Sequence, residues 1–427
     1  MQIFPAASVG GEVEFRGDKS ISHRLVLSSL LLDGVFVLKN LSDCRDVETS
    51  IAAVETLGVN ISRNADSACL RATLPPSPLI DRQQIIDCGN SGTTARLLAG
   101  ILCGRPGWFE LTGDASLSNR PMQRIITPLR QMGADIYAEN TKTLPLLIRG
   151  KNLLQPLSFV NSLASAQVKS AILFAALYAK GTTIISEPVA SRDHTERLLQ
   201  FLKLPVELHE QTIGLTGPAF ISGNHEFTIP GDISSAAFFA VAAAIFPGSQ
   251  ILIKNVLLNI GRTAFLKVLK RMGAIINIED NHHEWESCGN IRITGNKLNA
   301  TTIECDEVPA LIDELPALAV AMAFANGISE VHGASELRNK ETDRITNLIS
   351  QFKKLRIKCS ELEDGFIIEG PAIIDQNTHL DPHGDHRLAM AFSILGAKTK
   401  NGLFVENSDC IKISFPGFYD TLKQALK

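Results

Sequence analysis

Arg24-Leu-Val-Leu-Ser-Ser-Leu-Leu-Leu-Asp-Gly34 reads as an apolar, small-residue helix running into a glycine-marked turn, with a strand-like stretch behind it. The same wording returns at Ala95–Gly107, Val168–Gly181, Ser235–Gly248, Leu315–Gly327 and Leu388–Gly402. The glycines stand at 34, 107, 181, 248, 327 and 402, so the steps between them are 73, 74, 67, 79 and 75 residues. Self-similarity at a near-constant period marks one structural unit used six times. Counting back 14 or 15 residues from each glycine, about four helical turns, predicts helix N-termini at Lys19, Gly92, Gln167, Ser234, Asp313 and Arg387. Equivalent positions in equivalent units face the same way, so chemistry is expected to gather there.

A second phrase alternates with the first: a helix ending in Leu/Met-Gly, then a short apolar strand. Clear copies are Val54-Glu-Thr-Leu-Gly58-Val-Asn-Ile61, Leu129-Arg-Gln-Met-Gly133-Ala-Asp-Ile136 and Leu269-Lys-Arg-Met-Gly273-Ala-Ile-Ile276. Leu199-Gln-Phe-Leu-Lys203-Leu-Pro-Val206 and Phe352-Lys-Lys-Leu-Arg356-Ile-Lys-Cys359 are weaker copies without the glycine. Glycine just past a helix end is the favoured left-handed cap. The sixth copy, Phe418–Lys427, stops before its strand, while Gln2–Phe15 reads as a strand with no helix before it. This N-terminal strand is expected to complete the last repeat. Six units then form two domains of three: residues 16–227, and residues 228–427 joined by 1–15.

Hydrophobic residues make up 45% of the 427 and charged ones 20%, ordinary for a globular enzyme. A net charge of −4 provides no basic field for nucleic acid, and 6% aromatics offer few stacking platforms. Eight cysteines scattered singly read as reduced intracellular thiols. No basic segment followed by an apolar core opens the chain, and runs such as Ala236–Phe246 are too short to span a bilayer. A cytoplasmic protein with neither nucleic-acid nor membrane partners is expected.

A helix N-terminus presents unpaired amides and about half a positive charge, a ready anion site. Lys19, Ser20 and Arg24 stand on the first turns of the first repeat. Cys88-Gly-Asn-Ser-Gly-Thr-Thr-Ala-Arg96 supplies two glycines for close backbone approach, and Asn161-Ser-Leu-Ala-Ser-Ala-Gln-Val-Lys169 adds neutral donors and one more cation. The alternate helices begin with cations: Arg120 and Arg124, Arg192, Arg262, Arg338 and Arg344. A helix dipole disfavours cations there, so the series points to an anion that offsets it, although each alone also reads as a solvated arginine. Asp313, flanked by apolar residues, reads as an N-cap or a functional acid. Glu341 lies between Lys340 and Asp343, where a solvated ion pair is the plain alternative. His379, His383 and His386 match no zinc spacing, and Arg387 would repel a cation, so no metal is expected. Gly17-Asp-Lys-Ser20 lacks the glycine-rich spacer of a P-loop, and His282-His283 reads as an exposed turn.

Together, Asp18-Lys-Ser-Ile-Ser-His-Arg24, Gly89-Asn-Ser-Gly-Thr-Thr-Ala-Arg96, Arg120-Pro-Met-Gln-Arg124, Ser165-Ala-Gln-Val-Lys169, Arg192-Asp-His-Thr-Glu196, Ile312-Asp-Glu314, Lys340-Glu-Thr-Asp-Arg344 and Asp385-His-Arg387 resemble the 5-enolpyruvylshikimate-3-phosphate synthases over essentially the whole chain. The resemblance implies an α/β (α+β) enolpyruvyl transferase fold. Two similar domains, each of three βαβαββ units forming an inside-out α/β barrel, would aim helix N-termini at a cleft between them. It implies transfer of the enolpyruvyl group of phosphoenolpyruvate to the 5-hydroxyl of shikimate 3-phosphate, in chorismate and aromatic amino-acid biosynthesis. No cofactor or metal is implied, glyphosate is a possible inhibitor, and the enzyme would be a monomer.

By the same resemblance Ser165, Ala166, Gln167 and Arg192 would hold the shikimate phosphate, while Lys19, Ser20, Arg24, Asp313 and Lys340 would meet its ring and hydroxyls. Phosphoenolpyruvate would be held by Lys19, Gly92, Arg120, Gln167, Arg344 and Arg387. Guanidinium forks match phosphates and carboxylates bidentately. Glu341 resembles the family's candidate acid and Asp313 its base, with Lys19 assisting proton transfer and His386 tuning the network. Arg-Pro-Met-x-Arg, Ser-Ala-Gln-x-Lys and Arg-Asp-His-Thr-Glu mark a class II-like member, the branch that includes glyphosate-tolerant enzymes. The fourth marker, Asn-Pro-x-Arg, stands here as Asn259-Ile-Gly-Arg262, and Gly92 leaves room beside the phosphoenolpyruvate site. Lys412 stands one position earlier than the lysine some members place before Phe-Pro, so its contact is not carried over.

Three rivals remain. UDP-N-acetylglucosamine enolpyruvyl transferase shares the fold but uses a cysteine in a glycine-rich loop, and here Cys103 ends a helix while the other cysteines lie in strand-like text. RNA 3′-phosphate cyclase uses related units but needs a basic surface. A non-catalytic anion-binding repeat protein gives Asp313 and Glu341 no task.

Overall fold

Each apolar stretch becomes a helix with apolar residues on every side, which suits a core and no surface. The six are Lys19–Ser28, Gly92–Gly104, Ala166–Ala176, Ile233–Ala244, Leu315–Ala323 and His386–Lys398, buried almost throughout. This computed structural model describes residues 1–64, 66–73, 83–138, 140, 142–281 and 285–427; His282 and His283 lie outside the described residues. Five of the buried helices begin at a polar cap whose side chain accepts from a first-turn amide: Asp18, Ser91, Ser165, Asp232 and Asp385. The fifth helix differs. Pro316 occupies its first turn and a short helix, Val308–Leu311, precedes it, so Asp313 falls in the link and Glu314 at the cap position makes no capping bond.

The amphipathic helices alternate with these: Arg45–Thr56, Gln123–Gln131, His194–Phe201, Ala264–Met272, Arg344–Lys354 and Phe418–Ala425. Gly58, Gly133 and Gly273 follow three of them at φ of 95°, 84° and 117°. In the two copies that lack glycine, Lys203 and Arg356 take φ of 58° and 59°. The left-handed turn is therefore a property of the repeat, imposed on whichever residue occupies it.

Every complete repeat forms one four-stranded sheet in the order first, second, fourth, third. In the second repeat, Gln84–Asp87 runs parallel to Gly107–Thr112, which pairs antiparallel with Leu146–Gly150, which in turn pairs with Asp135–Ala138. Six small sheets result, none of them closed into a barrel among the described residues. The chain divides into two compact units, residues 17–229, and residues 1–16 with 230–427. In each, a strand distant in sequence supplies the missing edge. Ile221–Thr228 runs parallel to Leu32–Lys39 and so completes the first repeat. The opening segment is not the single strand expected over Gln2–Phe15. Gln2–Ile3 pairs antiparallel with Leu403–Val405 in the sixth repeat, while Gly10–Val13 lies parallel to Gln250–Leu257 in the fourth. Pro5 breaks the run between them.

Among the described residues no helix is long and apolar enough to cross a membrane. The left-handed caps give a direct test. Lys203→Gly and Arg356→Gly should each stabilise by about 0.5–1 kcal/mol, the left-handed penalty less the entropy of glycine, and Gly273→Ala should destabilise by about 1–2 kcal/mol. Urea unfolding midpoints moving in those opposite directions would verify it.

Candidate active site

The first turns of the buried helices meet within each unit, and side chains carry the contact. In the unit 17–229, Arg24 is 3% exposed. Its Nε donates to Thr195 Oγ1 at 2.8 Å, its Nη1 to the Ser20 carbonyl at 2.9 Å and its Nη2 to Ser170 Oγ at 2.9 Å. Ser170 Oγ donates in turn to the Ala166 carbonyl at 2.6 Å. Arg96 Nη1 donates to Gln167 Oε1 at 2.7 Å, and Gln167 Nε2 to Thr93 Oγ1 at 2.9 Å. Arg120 Nη2 donates to Asn90 Oδ1 at 2.8 Å. A Cβ at Gly92 would stand 2.8 Å from Arg96 Nη1 and 3.5 Å from Arg120 Nη1, so glycine here lets two guanidiniums lie against the helix start.

Lys19 Nζ pairs with Asp46 Oδ2 at 3.0 Å. Behind it, His23 Nδ1 and Ser50 Oγ lie 2.8 Å apart and Ser50 Oγ and Thr94 Oγ1 2.7 Å. Burial, helped by Lys19 and Arg24, holds His23 well below the usual imidazole range, so it is neutral.

Lys169, read from sequence as one more cation for an anion, is not available to one. It is 1% exposed, and its Nζ sits 2.6 Å from Glu187 Oε2 and 2.6 Å from Glu196 Oε1. Arg192 lies in the segment between Ser191 and the helix His194–Phe201, and Ser165 caps its own helix.

The unit containing 230–427 gathers the acids. Arg344 opens its amphipathic helix with its side chain 2% exposed. Its Nε donates to Asp385 Oδ2 at 2.7 Å and its Nη2 to Glu341 Oε2 at 2.5 Å. Burial opposes its charge, but Asp385, Glu341 and Asp313 hold it above the usual guanidinium range. Its Nη1 makes no hydrogen bond among the described residues and stands 3.7 Å from Asp313 Oδ1. Arg387 Nη1 donates to the Asp313 carbonyl at 2.9 Å, and its Nη2 is 3.7 Å from Asp313 Oδ2. The Asp313 carboxylate is thus bracketed by two guanidiniums, each beyond hydrogen-bond length. Lys340 is half-buried; burial, helped by Arg344 and opposed by Asp313 and Glu341, lowers its ammonium pKa. His386 is buried in the first turn of the same helix as Arg387.

Two arginines of the expected anion series are committed to the protein. Arg262 Nη2 donates to Ser234 Oγ at 2.9 Å, and Ser234 Oγ to Glu314 Oε1 at 2.5 Å. Arg338 Nη1 meets Asp343 at 2.9 Å and Glu361 at 2.8 Å. Carboxylates of the fold offset Arg338 directly, and Arg262 reaches Glu314 through the Ser234 hydroxyl. Lys412 pairs with Asp409 at 2.6 Å on the surface. Sequence reasoning missed Asp46, Glu187 and the partnership of Glu196 with Lys169. Glu196 closes a quoted motif, whereas nothing local distinguishes Asp46 or Glu187.

Not all the remaining cysteines lie in strands. Cys44 precedes a helix, Cys88 sits in the loop before Gly92, Cys305 is exposed, and Cys410 lies in a short 3-10 turn. Burial pushes the Cys88 thiol up to about 12, unsuited to proton donation near neutrality. Among the described residues no three His, Cys, Asp or Glu side chains gather to hold a metal ion.

Two units of repeated small sheets with polar helix starts define an enolpyruvyl-transferase fold. The enolpyruvyl transferase NikO from Streptomyces tendae superposes with a TM-score of 0.79 at 14% identity, over 99% of this chain and 96% of that one. The EPSP synthase from Acinetobacter baumannii superposes with a TM-score of 0.85 at 35% identity, over 100% and 98%. The family model for EPSP synthase (3-phosphoshikimate 1-carboxyvinyltransferase) matches residues 4–422. Proteins named 3-phosphoshikimate 1-carboxyvinyltransferase are 41% identical in Desulforamulus reducens, over 99% of both chains, and 42% identical in Thermotoga neapolitana, over 100% of both. The chain belongs to the EPSP synthase family and is a transferase.

The Arg344 cluster yields a stability prediction. Asp385→Ala leaves a buried guanidinium short of its partner and removes a helix cap, and should cost about 3–5 kcal/mol. Calorimetric or urea unfolding would measure it, and a variant as stable as the parent would contradict the geometry.

Proposed function

We propose that this chain transfers the enolpyruvyl group of phosphoenolpyruvate to the 5-hydroxyl of shikimate 3-phosphate, with Asp313 as the base. Family membership supports the reaction. The observation that supports the base is the Asp313 carboxylate set between Arg344 and Arg387, 3.7 Å from each. Asp313 takes the proton of the 5-hydroxyl as its oxygen bonds to C2 of phosphoenolpyruvate, while C3 gains a proton from Glu341. The tetrahedral adduct then loses phosphate from C2, which leaves with the proton held by Asp313, while Glu341 takes a proton back from C3, restoring the enol double bond and both carboxyl groups. Each step moves two protons, one through each of the two positioned carboxyl groups.

Arg344 and Arg387 are assigned to the anionic groups of phosphoenolpyruvate, with the unsatisfied Arg344 Nη1 as the donor, and Arg120, Gly92, Gln167 and Lys19 complete that set. Ser165, Ala166, Gln167 and Arg192 take the shikimate phosphate, and Lys19, Ser20, Arg24, Asp313 and Lys340 its ring. Lys19 assists proton transfer, and His386 tunes the network beside Arg387. Glyphosate is assigned to the phosphoenolpyruvate site beside Gly92. Eight free cysteines support a cytoplasmic location.

Asp313→Ala should lower kcat by about 10²–10⁴-fold while shikimate 3-phosphate still binds. Phosphate release and calorimetry measure the two separately, and near-normal release would overturn the base assignment. Gly92→Ala should weaken glyphosate more than phosphoenolpyruvate, because its methyl displaces Arg96 and crowds Arg120. An unaltered inhibition constant would contradict that placement.

A further inference from the structure

One buried carboxylate outside the set above ties two loops together. Glu187 follows the strand Gly181–Ser186 and is 5% exposed. Its Oε1 accepts from Asn161 Nδ2 at 2.6 Å and from Ser191 Oγ at 2.6 Å. Its Oε2 accepts from Lys169 Nζ at 2.6 Å and from the Ser191 amide at 3.4 Å. Asn161 grips Ser165 from both sides: its Nδ2 donates to the Ser165 carbonyl at 3.2 Å and its Oδ1 accepts from the Ser165 amide at 3.3 Å. Lys169 Nζ also reaches the Ser191 carbonyl at 3.4 Å. The amide, hydroxyl and carbonyl of Ser191 are therefore all fixed, and Arg192 is the next residue.

We infer that Glu187 is a positioning residue that sets Ser165 and Arg192 at the spacing of one phosphate group. The inference rests on the reading that those two residues hold the phosphate of shikimate 3-phosphate. Only an ionised carboxylate accepts from four donors arriving on both oxygens; a glutamine would turn an NH2 toward either Lys169 or the Asn161–Ser191 pair. A bare carboxylate behind an anion site would oppose the ligand. Lys169 removes that objection, since its ammonium lies directly on Glu187 and is screened from solvent. Glu196 closes the other side of Lys169, and burial, opposed by Lys169, raises its carboxyl above the usual range. The lysine ending Ser165–Lys169 and the glutamate ending Arg192–Glu196 are thus parts of one internal support, and neither touches the ligand.

The experiment compares Glu187→Gln, Asn161→Ala, Ser191→Ala and, in parallel, Arg192→Ala, with KM and kcat for both substrates and calorimetric binding of shikimate 3-phosphate and of shikimate. Glu187→Gln should raise KM for shikimate 3-phosphate about tenfold or more, with kcat and KM for phosphoenolpyruvate near those of the parent. Its preference for shikimate 3-phosphate over shikimate should fall by the same factor. Asn161→Ala and Ser191→Ala each sever one loop, should show the same split to a smaller degree, and carry the test if Glu187→Gln does not fold. Equal weakening of both ligands, or of neither, overturns the positioning role. Unchanged shikimate 3-phosphate affinity in Arg192→Ala overturns the cradle itself, and the inference with it.

Discussion

A helix buried on every side has no solvent to satisfy the amides of its first turn. Six such helices form the cores of this protein, and the polar groups brought in to meet that need are the groups that assemble its chemistry. Asp18, Ser91, Ser165, Asp232 and Asp385 each accept from a first-turn amide. Asp385 then uses its other oxygen to hold Arg344. The cap of a core helix and the anchor of a candidate substrate-binding arginine are one carboxylate, so the site is continuous with the fold.

The two units meet the requirement with different chemistry. In residues 17–229, Arg24 and Arg96 bond to hydroxyls, carbonyls and the Gln167 amide. Bonds of this kind to neutral acceptors orient a guanidinium. In the other unit, Arg344 and Arg387 lie among Asp313, Glu314, Glu341 and Asp385. Alternating charges at these separations stabilise both signs and leave proton donors and acceptors within reach.

Repetition made most of this architecture legible. Six glycines at steps of 67 to 79 residues placed the buried helices to within one or two positions, because a positive φ is needed where each strand begins; all six have φ between 70° and 150°. Closure of each unit was less legible. Ile221–Thr228 gives no local sign that its partner is Leu32–Lys39, since a parallel pair carries no hairpin signal, and Gln2–Phe15 hides two short strands in one apolar run. Charge was the hardest to read. Lys169 and Arg262 look like ligand-binding cations in sequence, and only the fold brings Glu187, Glu196 and the Ser234–Glu314 pair against them. A motif names the residue types, but which cation remains for a substrate depends on carboxylates tens of residues away.

That distinction also sorts the carboxylates by how the fold holds them. Glu187 and Glu196 each lie 2.6 Å from Lys169, and Asp385 lies 2.7 Å from Arg344. Each is tied to a buried cation by a short charged bond, so its removal would leave that cation short of its partner. Asp313 is attracted by two guanidiniums, each at 3.7 Å, and its backbone carbonyl takes the direct bond from Arg387. Asp313 is therefore fixed through its main chain as well as through the charges on either side of its carboxylate.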